Sequence, residues 1–271
     1  MQEQCTPTPA PATWTELLDR AMTDPGTVSA AYSAFHNYSL GNQLLALFQC
    51  AGRGIPTGPI ATFNSWKEKG RSVRKGEKAI TLCQPRTYAP KPRDGETAEE
   101  AEENDDGTRA GSLRTVFTYR RAWFVLAQTD GEPYQMPETP AWNRAQALTT
   151  LGFAELPFTL MNGNTQGYTT VKGIAVSPVA ANPLKTTFHE LAHAILHRGA
   201  DHNDADDAPR SLLEAEAEGV AMLVCAALNL PGVEDARGYI QHWRKTEPIP
   251  EPSARRILAT AGKILTAGQV N

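Results

Sequence analysis

The sequence predicts an α+β protein of two domains, with N-terminal helices packed on a small antiparallel sheet and a C-terminal domain built around a metal-binding helix. Three observations carry that expectation. Charge segregates along the chain, apolar residues switch between helical and alternating spacing, and His189 and His193 stand four residues apart in a helix-forming stretch. The 271 residues, 41% of them hydrophobic, suffice for one large or two modest cores.

The elements follow in order. Residues 1–13, rich in Pro and Thr, read as a flexible tail. Trp14 to Met22 and Ala30 to Cys50 carry apolar residues at helical spacing, and a helical turn is expected around Ser65 to Lys69. Strand-like runs are Lys78 to Cys83, Thr115 to Tyr119 and Trp123 to Ala127, the last two interrupted at Arg120-Arg121. This first domain, 14–136, carries an acidic loop over 94–112, and the prolines of MPETPAW mark a linker at 137–143. The second domain, 144–271, opens with a helix from Arg144 to Leu151 and a strand at Gly173 to Ser177. An apolar-rich helix from Leu184 to Arg198 follows, ended by Gly199, then a long helix from about Pro209 to Leu230 and two more near Asp235 to Lys245 and Ser253 to Leu265.

With 26 Lys+Arg against 30 Asp+Glu the chain is globally no basic nucleic-acid binder, but the balance hides blocks. Arg53 to Arg93 holds ten basic and two acidic residues, and Asp94 to Asp106 eight acids and no base. The acidic run cannot bury apolar area and reads as a loop that could compete with nucleic acid for the basic block. No apolar run approaches the roughly 18 residues of a membrane span, and the N-terminus lacks a secretory pattern, so a cytoplasmic chain without membrane partners is expected. Cys5, Cys50, Cys83 and Cys225 are scattered without a CxxC pair, as reduced thiols would be.

The strongest chemical signal is HELAH at 189–193. On a helix, four residues advance about 400°, so His189 and His193 project from one face and can share a zinc ion, with Glu190 beside them to handle a water. The competing reading, two polar residues on a solvent face, fits poorly with flanks as apolar as Phe188, Leu191, Ile195 and Leu196. A third ligand is needed. His197 lies about 12 Å along an unbroken helix from His189 and reads instead as a helix-end residue complementing the dipole. The next helix offers Glu214, Glu216 and Glu218. Glu214 and Glu218 share a face, where like charges repel unless a cation offsets them, while Glu216 points elsewhere. Glu214 is therefore taken as ligand and Glu218 as the carboxylate orienting a histidine. Glu214 could instead close a capping box with Ser211, but Asp206 or Asp207 with Pro209 makes the better helix start.

Zinc on His189, His193 and Glu214, with Glu190 as general base, predicts metal-assisted hydrolysis of an amide; manganese or cobalt also suit such ligands. Tyr168 and His202 are the available transition-state donors, each more simply structural.

These residues resemble a known family. The HELAH helix, the preceding strand GIAVSP and the following E-A-E-A-E-G-V-A are similar to the metallopeptidase domain of ArdC-type antirestriction proteins and to the zincin-like ImmA/IrrE peptidases. The first glutamate of that family's E-x-x-x-[END] pair falls on Glu214. HNYSLGNQLL (36–45), TFNSWKEKGRSVRKGEKAI (62–80) and WFVLAQTDGEP (123–133) resemble the ArdC N-terminal single-stranded-DNA-binding domain. The acidic run and Gly219-Val220 depart from the pattern. The resemblance implies a zincin-like metallopeptidase fold for 144–271. It also implies a mobile-element protein that binds single-stranded DNA, cleaves an unidentified peptide or protein and protects incoming DNA from restriction.

Single-strand binding needs cations along the phosphates and aromatic faces for bases. Lys67, Lys69, Arg71, Arg74, Lys75 and Lys78 supply the first, Phe63 and Trp66 the second, with Tyr38 and Asn42 approaching from a helix. Taken alone, this block reads more simply as a solvated surface over a core tryptophan. Two further functions stay open: a DNA-coating protein with a structural or inactive zinc domain, and a regulatory peptidase that cleaves a repressor.

Overall fold

The structure, a computed structural model, describes residues 13–88, 114–159, 165–197, 209–244 and 249–270. The expected tail (except Thr13), the acidic loop and His202, Asp206 and Asp207 lie outside the described residues. The α+β class stands, and the chain divides into two compact units. One is Ile60–Glu132; the other joins the residues before 60 to those after 132.

Three helices begin the chain: α1 (Trp14–Thr23), α2 (Thr27–Phe35) and α3 (Leu40–Arg53). The Thr13 hydroxyl accepts from Glu16 N–H at 3.1 Å while the Glu16 carboxylate accepts from Thr13 N–H at 2.9 Å, a reciprocal cap that fixes where α1 starts. The single helical stretch expected over 30–50 is two helices. The polar run His36 to Ser39 separates them, and Ser39 takes extended backbone ahead of α3. Gly41 faces the Trp14 ring so closely that an added Cβ would fall 2.5 Å from it, so that ring can lie on α3 only at a residue without a side chain.

The second unit runs β1 (Ile60–Thr62), α4 (Phe63–Glu68), β2 (Arg71–Val73), β3 (Ile80–Tyr88), β4 (Arg114–Val125), a tight turn and β5 (Thr129–Gly131). β4 lies between β1 and β3, antiparallel to both, and β2 pairs with β5. β4 runs through Arg120-Arg121 without the expected break. Both arginines are exposed, and a register shift opposite Ala122 absorbs the irregularity. Trp66 is fully buried, and its indole N–H donates to the Phe124 carbonyl at 2.8 Å, so α4 closes over the sheet.

After residue 132 come β6 (Ala141–Trp142), α5 (Arg144–Leu151), β7 (Ala154–Glu155), β8 (Gly167–Thr170) and β9 (Gly173–Val176), then α6 (Pro183–Leu196), α7 (Arg210–Ala227), α8 (Val233–Arg244), α9 (Glu251–Ala267) and β10 (Gln269–Val270). In the sheet β7-β9-β8, β7 is parallel and β8 antiparallel to β9, and β8 is an edge. The end of the expected linker is a strand: β6 pairs with β10, and Trp142 meets the Phe188 ring edge-on at 5.1 Å. α7 is the core helix, buried from Ala215 to Cys225 and packed against α2, α6, α8 and α9.

The compact units therefore divide the chain differently from the segments 14–136 and 144–271. α1 and α3 pack on α9, and α2 on α7, because their buried faces (Leu17, Leu18, Tyr32, Leu44) meet apolar helices. A polar clasp adds to this: the Glu251 carboxylate, at the start of α9, accepts from the Trp14 and Thr15 N–H groups and the Thr15 hydroxyl, each at 2.9 Å. A carboxylate on a helix N-terminus is favoured by the exposed N–H groups and the helix dipole. Glu251→Ala should lower unfolding free energy by about 1–2 kcal/mol, read by chemical denaturation.

Candidate functional site

α6 and α7 cross so that the predicted ligands meet. His189 and His193 lie one turn apart on α6 with their Nε2 atoms 3.1 Å from one another, and Glu214 Oε2 of α7 is 3.5 Å from each. Among the described residues this is the group of His, Cys, Asp and Glu side chains whose donor atoms converge as metal ligands would. The chemistry fits a small divalent ion. Donors about 2.0–2.1 Å from a tetrahedral centre are about 3.3–3.4 Å apart, which these three separations straddle, and two imidazoles with one carboxylate leave a coordination position open.

Each imidazole is oriented from behind. His189 Nδ1 lies 3.1 Å from Glu218 Oε2, and the other oxygen of Glu218 meets Lys185 Nζ at 2.5 Å. With its Nδ1–H donated to Glu218, His189 presents the Nε2 lone pair to the centre. His193 uses a longer chain. Its Nδ1 is 3.0 Å from His197 Nδ1; His197 Nε2 is 2.9 Å from Glu216 Oε2; and Glu216 Oε1 accepts from Arg256 of α9 at 2.6 Å. One set of tautomers satisfies the chain: His193 donates from Nδ1 to His197, and His197 donates from Nε2 to Glu216.

Electrostatics agree with a cation at the centre. Burial disfavours a charged His189, yet its hydrogen bonds to Glu214 and Glu218, with the nearby Glu190 charge, push the imidazole up to about 9. The hydrogen bonds of His189 and His193 hold Glu214 well below the usual carboxylate range. Burial works against the charge on Glu216, but His197, Ser253 and Arg256 bring it down to about 2. Glu218 is lowered by His189 and Lys185 against the same burial cost.

The centre opens into a cleft of about 900 Å³ whose walls include Glu190, Thr186, Lys185, Arg210 and the edge strand β8. Gly167 begins that strand under tight constraint. A Cβ there would come within 2.7 Å of Thr186 Cγ2 and 3.0 Å of Glu190 Cγ, so the strand reaches the helix only through a glycine. Tyr168 lines the cleft, but its hydroxyl donates to the Pro157 carbonyl at 2.9 Å. α7 begins at Arg210, immediately after Pro209, which places Ser211 inside the helix and leaves Glu214 to the cleft.

Sequence reasoning missed Lys185, Arg256 and Gly167, and it set aside His197 and Glu216, which the structure joins behind His193. His197 is indeed the residue closing α6, but its ring is held in the cluster rather than spent on the helix end. Buried charge at Glu216 had a signal: an acid amid LLEAEAEGVAMLV must find a partner.

The basic residues of the sheet unit divide. Lys67, Lys69, Lys75 and Lys78 are exposed, and Phe63 is 53% exposed. Trp66 as a base-stacking surface is corrected, because its indole fills the sheet core. Asn42 is likewise buried, on α3, with Tyr38 half-buried beside the helix start; both belong to the helical unit. Arg71 and Arg74 serve chiefly to tie strands. Arg71 donates to Thr129 Oγ1 at 2.8 Å, to the Thr129 carbonyl at 2.9 Å and to the Gly131 and Glu132 carbonyls. Arg74 pairs with Glu77 at 2.8 Å and Asp130 at 3.4 Å and donates to the Ala127 carbonyl.

Known proteins resemble this chain in sequence and fold. Residues 14–117 match the family described as the N-terminal domain of anti-restriction factor ArdC. The crystal structure of antirestriction ArdC protein from the R388 plasmid, metal-free, superposes with a TM-score of 0.53 and 20% identity, covering 94% of this chain and 95% of that one. Its Mn(II)-bound structure aligns at a TM-score of 0.49 and 18% identity, covering 94% and 96%. An uncharacterized Bacillus anthracis protein, pXO2-81, is 24% identical; the alignment takes in 90% of this chain, which spans about half (48%) of that relative's length.

Two outcomes are expected. Gly167→Ala should push β8 from Glu190 and cost about 1–3 kcal/mol of stability, seen as a lowered denaturation midpoint. The folded-state value of Glu216 lies below its unfolded value near 4.3, so the stability it contributes is complete above that pH and is lost as pH falls toward about 2. Acid titration of stability should therefore be steeper in the unaltered chain than in Glu216→Gln over that interval.

Proposed function

We propose that the chain is an ArdC-type protein that binds single-stranded DNA without sequence preference and hydrolyses peptide bonds at a divalent metal, zinc by preference, in the helical unit. The observation that carries the second part is the convergence of His189, His193 and Glu214 donor atoms at the mouth of a cleft that also holds Glu190. Its place in a mobile element, opposing restriction, follows from the ArdC resemblance.

His189, His193 and Glu214 would hold the ion, which when bound supplies Lewis acidity toward a carbonyl and a lowered pKa for water. The chain's own residues do the rest. Glu218 and His197 fix the ring planes of the two histidines, so the donors need little reorganisation. Glu190, next to His189 and only 8% exposed, takes a proton from the attacking water and returns it to the departing amine. β8, an edge strand whose residues Gly167 to Thr169 line the cleft, offers main-chain groups on which an extended peptide can lie as an added strand.

Glu190→Gln separates the readings. Purified protein should retain its metal and its DNA affinity while cleavage of an unstructured protein such as casein falls by about 10²–10⁴-fold. Undiminished cleavage removes Glu190 from the mechanism. Unaltered protein that holds the metal yet cleaves nothing favours a DNA-coating protein with a structural metal domain. His193→Ala should lose both metal and cleavage.

A further inference from the structure

We propose that the outer half of the β3–β4 ribbon is the surface that holds single-stranded DNA, an assignment that rests on the single-strand-binding reading above. β1 pairs with β4 only from Trp123 to Val125, so from Arg121 outward the strand that β4 is bonded to, among the described residues, is β3. This two-stranded extension carries large rings that a purely structural ribbon would bury. Phe117 is 57% exposed, Tyr88 44% and Tyr119 39%.

The register sorts these side chains. Thr81 pairs with Arg121, Cys83 with Tyr119 and Pro85 with Phe117, so Phe117, Tyr119 and Arg121 occupy alternate positions on one face. Residues two apart on a strand are about 6.7 Å apart. That is roughly twice the 3.4 Å step of a stacked nucleotide strand. The two rings therefore suit successive bases of a strand pulled out of its helical stack, and a duplex cannot present its bases that way. Sequence-tolerant binding by ring stacking is the expected consequence.

Charge points to the same occupant. From Lys78 to Tyr88 and from Arg114 to Thr129 there is no Asp or Glu, while Lys78, Arg86, Arg114, Arg120 and Arg121 are basic. Leu82 with Arg120, Arg86 with Val116 and Tyr88 with Arg114 form the opposite face, so Arg121 shares the face of the two rings while Arg86 and Arg120 charge the other side of the ribbon. Arg121 beside the rings, on a ribbon without acids in these strands, suits the phosphates of such a strand. The residues from α4 to β3 are poorer platforms, since Trp66 of α4 is in the core and Arg71 and Arg74 hold β5.

The test titrates the full chain into fluorescein-labelled oligothymidylate and follows anisotropy at several salt concentrations, with unlabelled duplex as competitor. Phe117→Ala/Tyr119→Ala should weaken binding tenfold or more and leave the salt slope unchanged. Arg120→Gln/Arg121→Gln should flatten the slope by about one for each phosphate no longer neutralised. Iodouracil-substituted oligonucleotide, irradiated on the unaltered protein, should crosslink at Phe117 or Tyr119. All variants alter exposed side chains, and circular dichroism checks that each is folded. If the unaltered chain binds the oligonucleotide while both variants bind within twofold of it and crosslinks fall elsewhere, the ribbon is overturned and the domain reading stands. If the unaltered chain does not bind single strands, the domain reading falls and the ribbon assignment with it.

Discussion

A helix that carries Glu216 and Glu218 into an apolar core and Glu214 to the edge of a cleft is stable only if the buried carboxylates meet compensating charge. An unpaired buried carboxylate costs several kcal/mol, more than most single contacts return. The structure meets that requirement twice and pairs the third acid at the cleft. Glu218 takes Lys185 and His189, Glu216 takes Arg256 and His197, and Glu214 faces the two imidazole nitrogens of α6. Because the partners come from α6 and α9, neutralising the acids of α7 also aligns the helices around it. The geometry of the centre and the packing of the core are consequences of one constraint.

That constraint explains why the site was largely legible in the sequence and its supports were not. HELAH needs only helical periodicity to place two imidazoles on one face, and Glu214 with Glu218 needs only the same periodicity on the next helix. The chain from His193 through His197 to Arg256 joins residues 63 positions apart, and no local pattern announces a partner at that separation. His197 shows the limit well. Axial distance along α6 separates it from His189, but does not show that its ring meets the back of His193.

The fold followed the same division. Helical spacing located α1, α6, α7 and α9 within a few residues, and strand-like runs located β3, β4 and β9 but not the short strands β1, β2, β5, β7 and β8 beside them. What sequence order did not convey was which helices share a core. α1, α2 and α3 precede the sheet in the chain yet bury their apolar faces on α7 and α9, so the family domain at 14–117 and the compact units cut the chain at different places. Interleaving of aromatics with lysines was ambiguous in the same way: Trp66 and Phe63 sit three apart, and only packing decides that one fills the core and the other faces solvent. The exposed rings of β4 lay in a run that alternation marked as strand, with no sign of which face would be covered.

Whether the crossing of α6 and α7 is a divalent metal centre of two imidazoles and one carboxylate is tested most directly by X-ray absorption at the zinc edge of the zinc-loaded full chain. The expected result is one ion per chain with a shell of nitrogen and oxygen neighbours at about 2.0–2.1 Å and the outer-shell scattering of two histidine rings. A sulfur shell near 2.3 Å, or failure to retain stoichiometric metal at neutral pH, would contradict it.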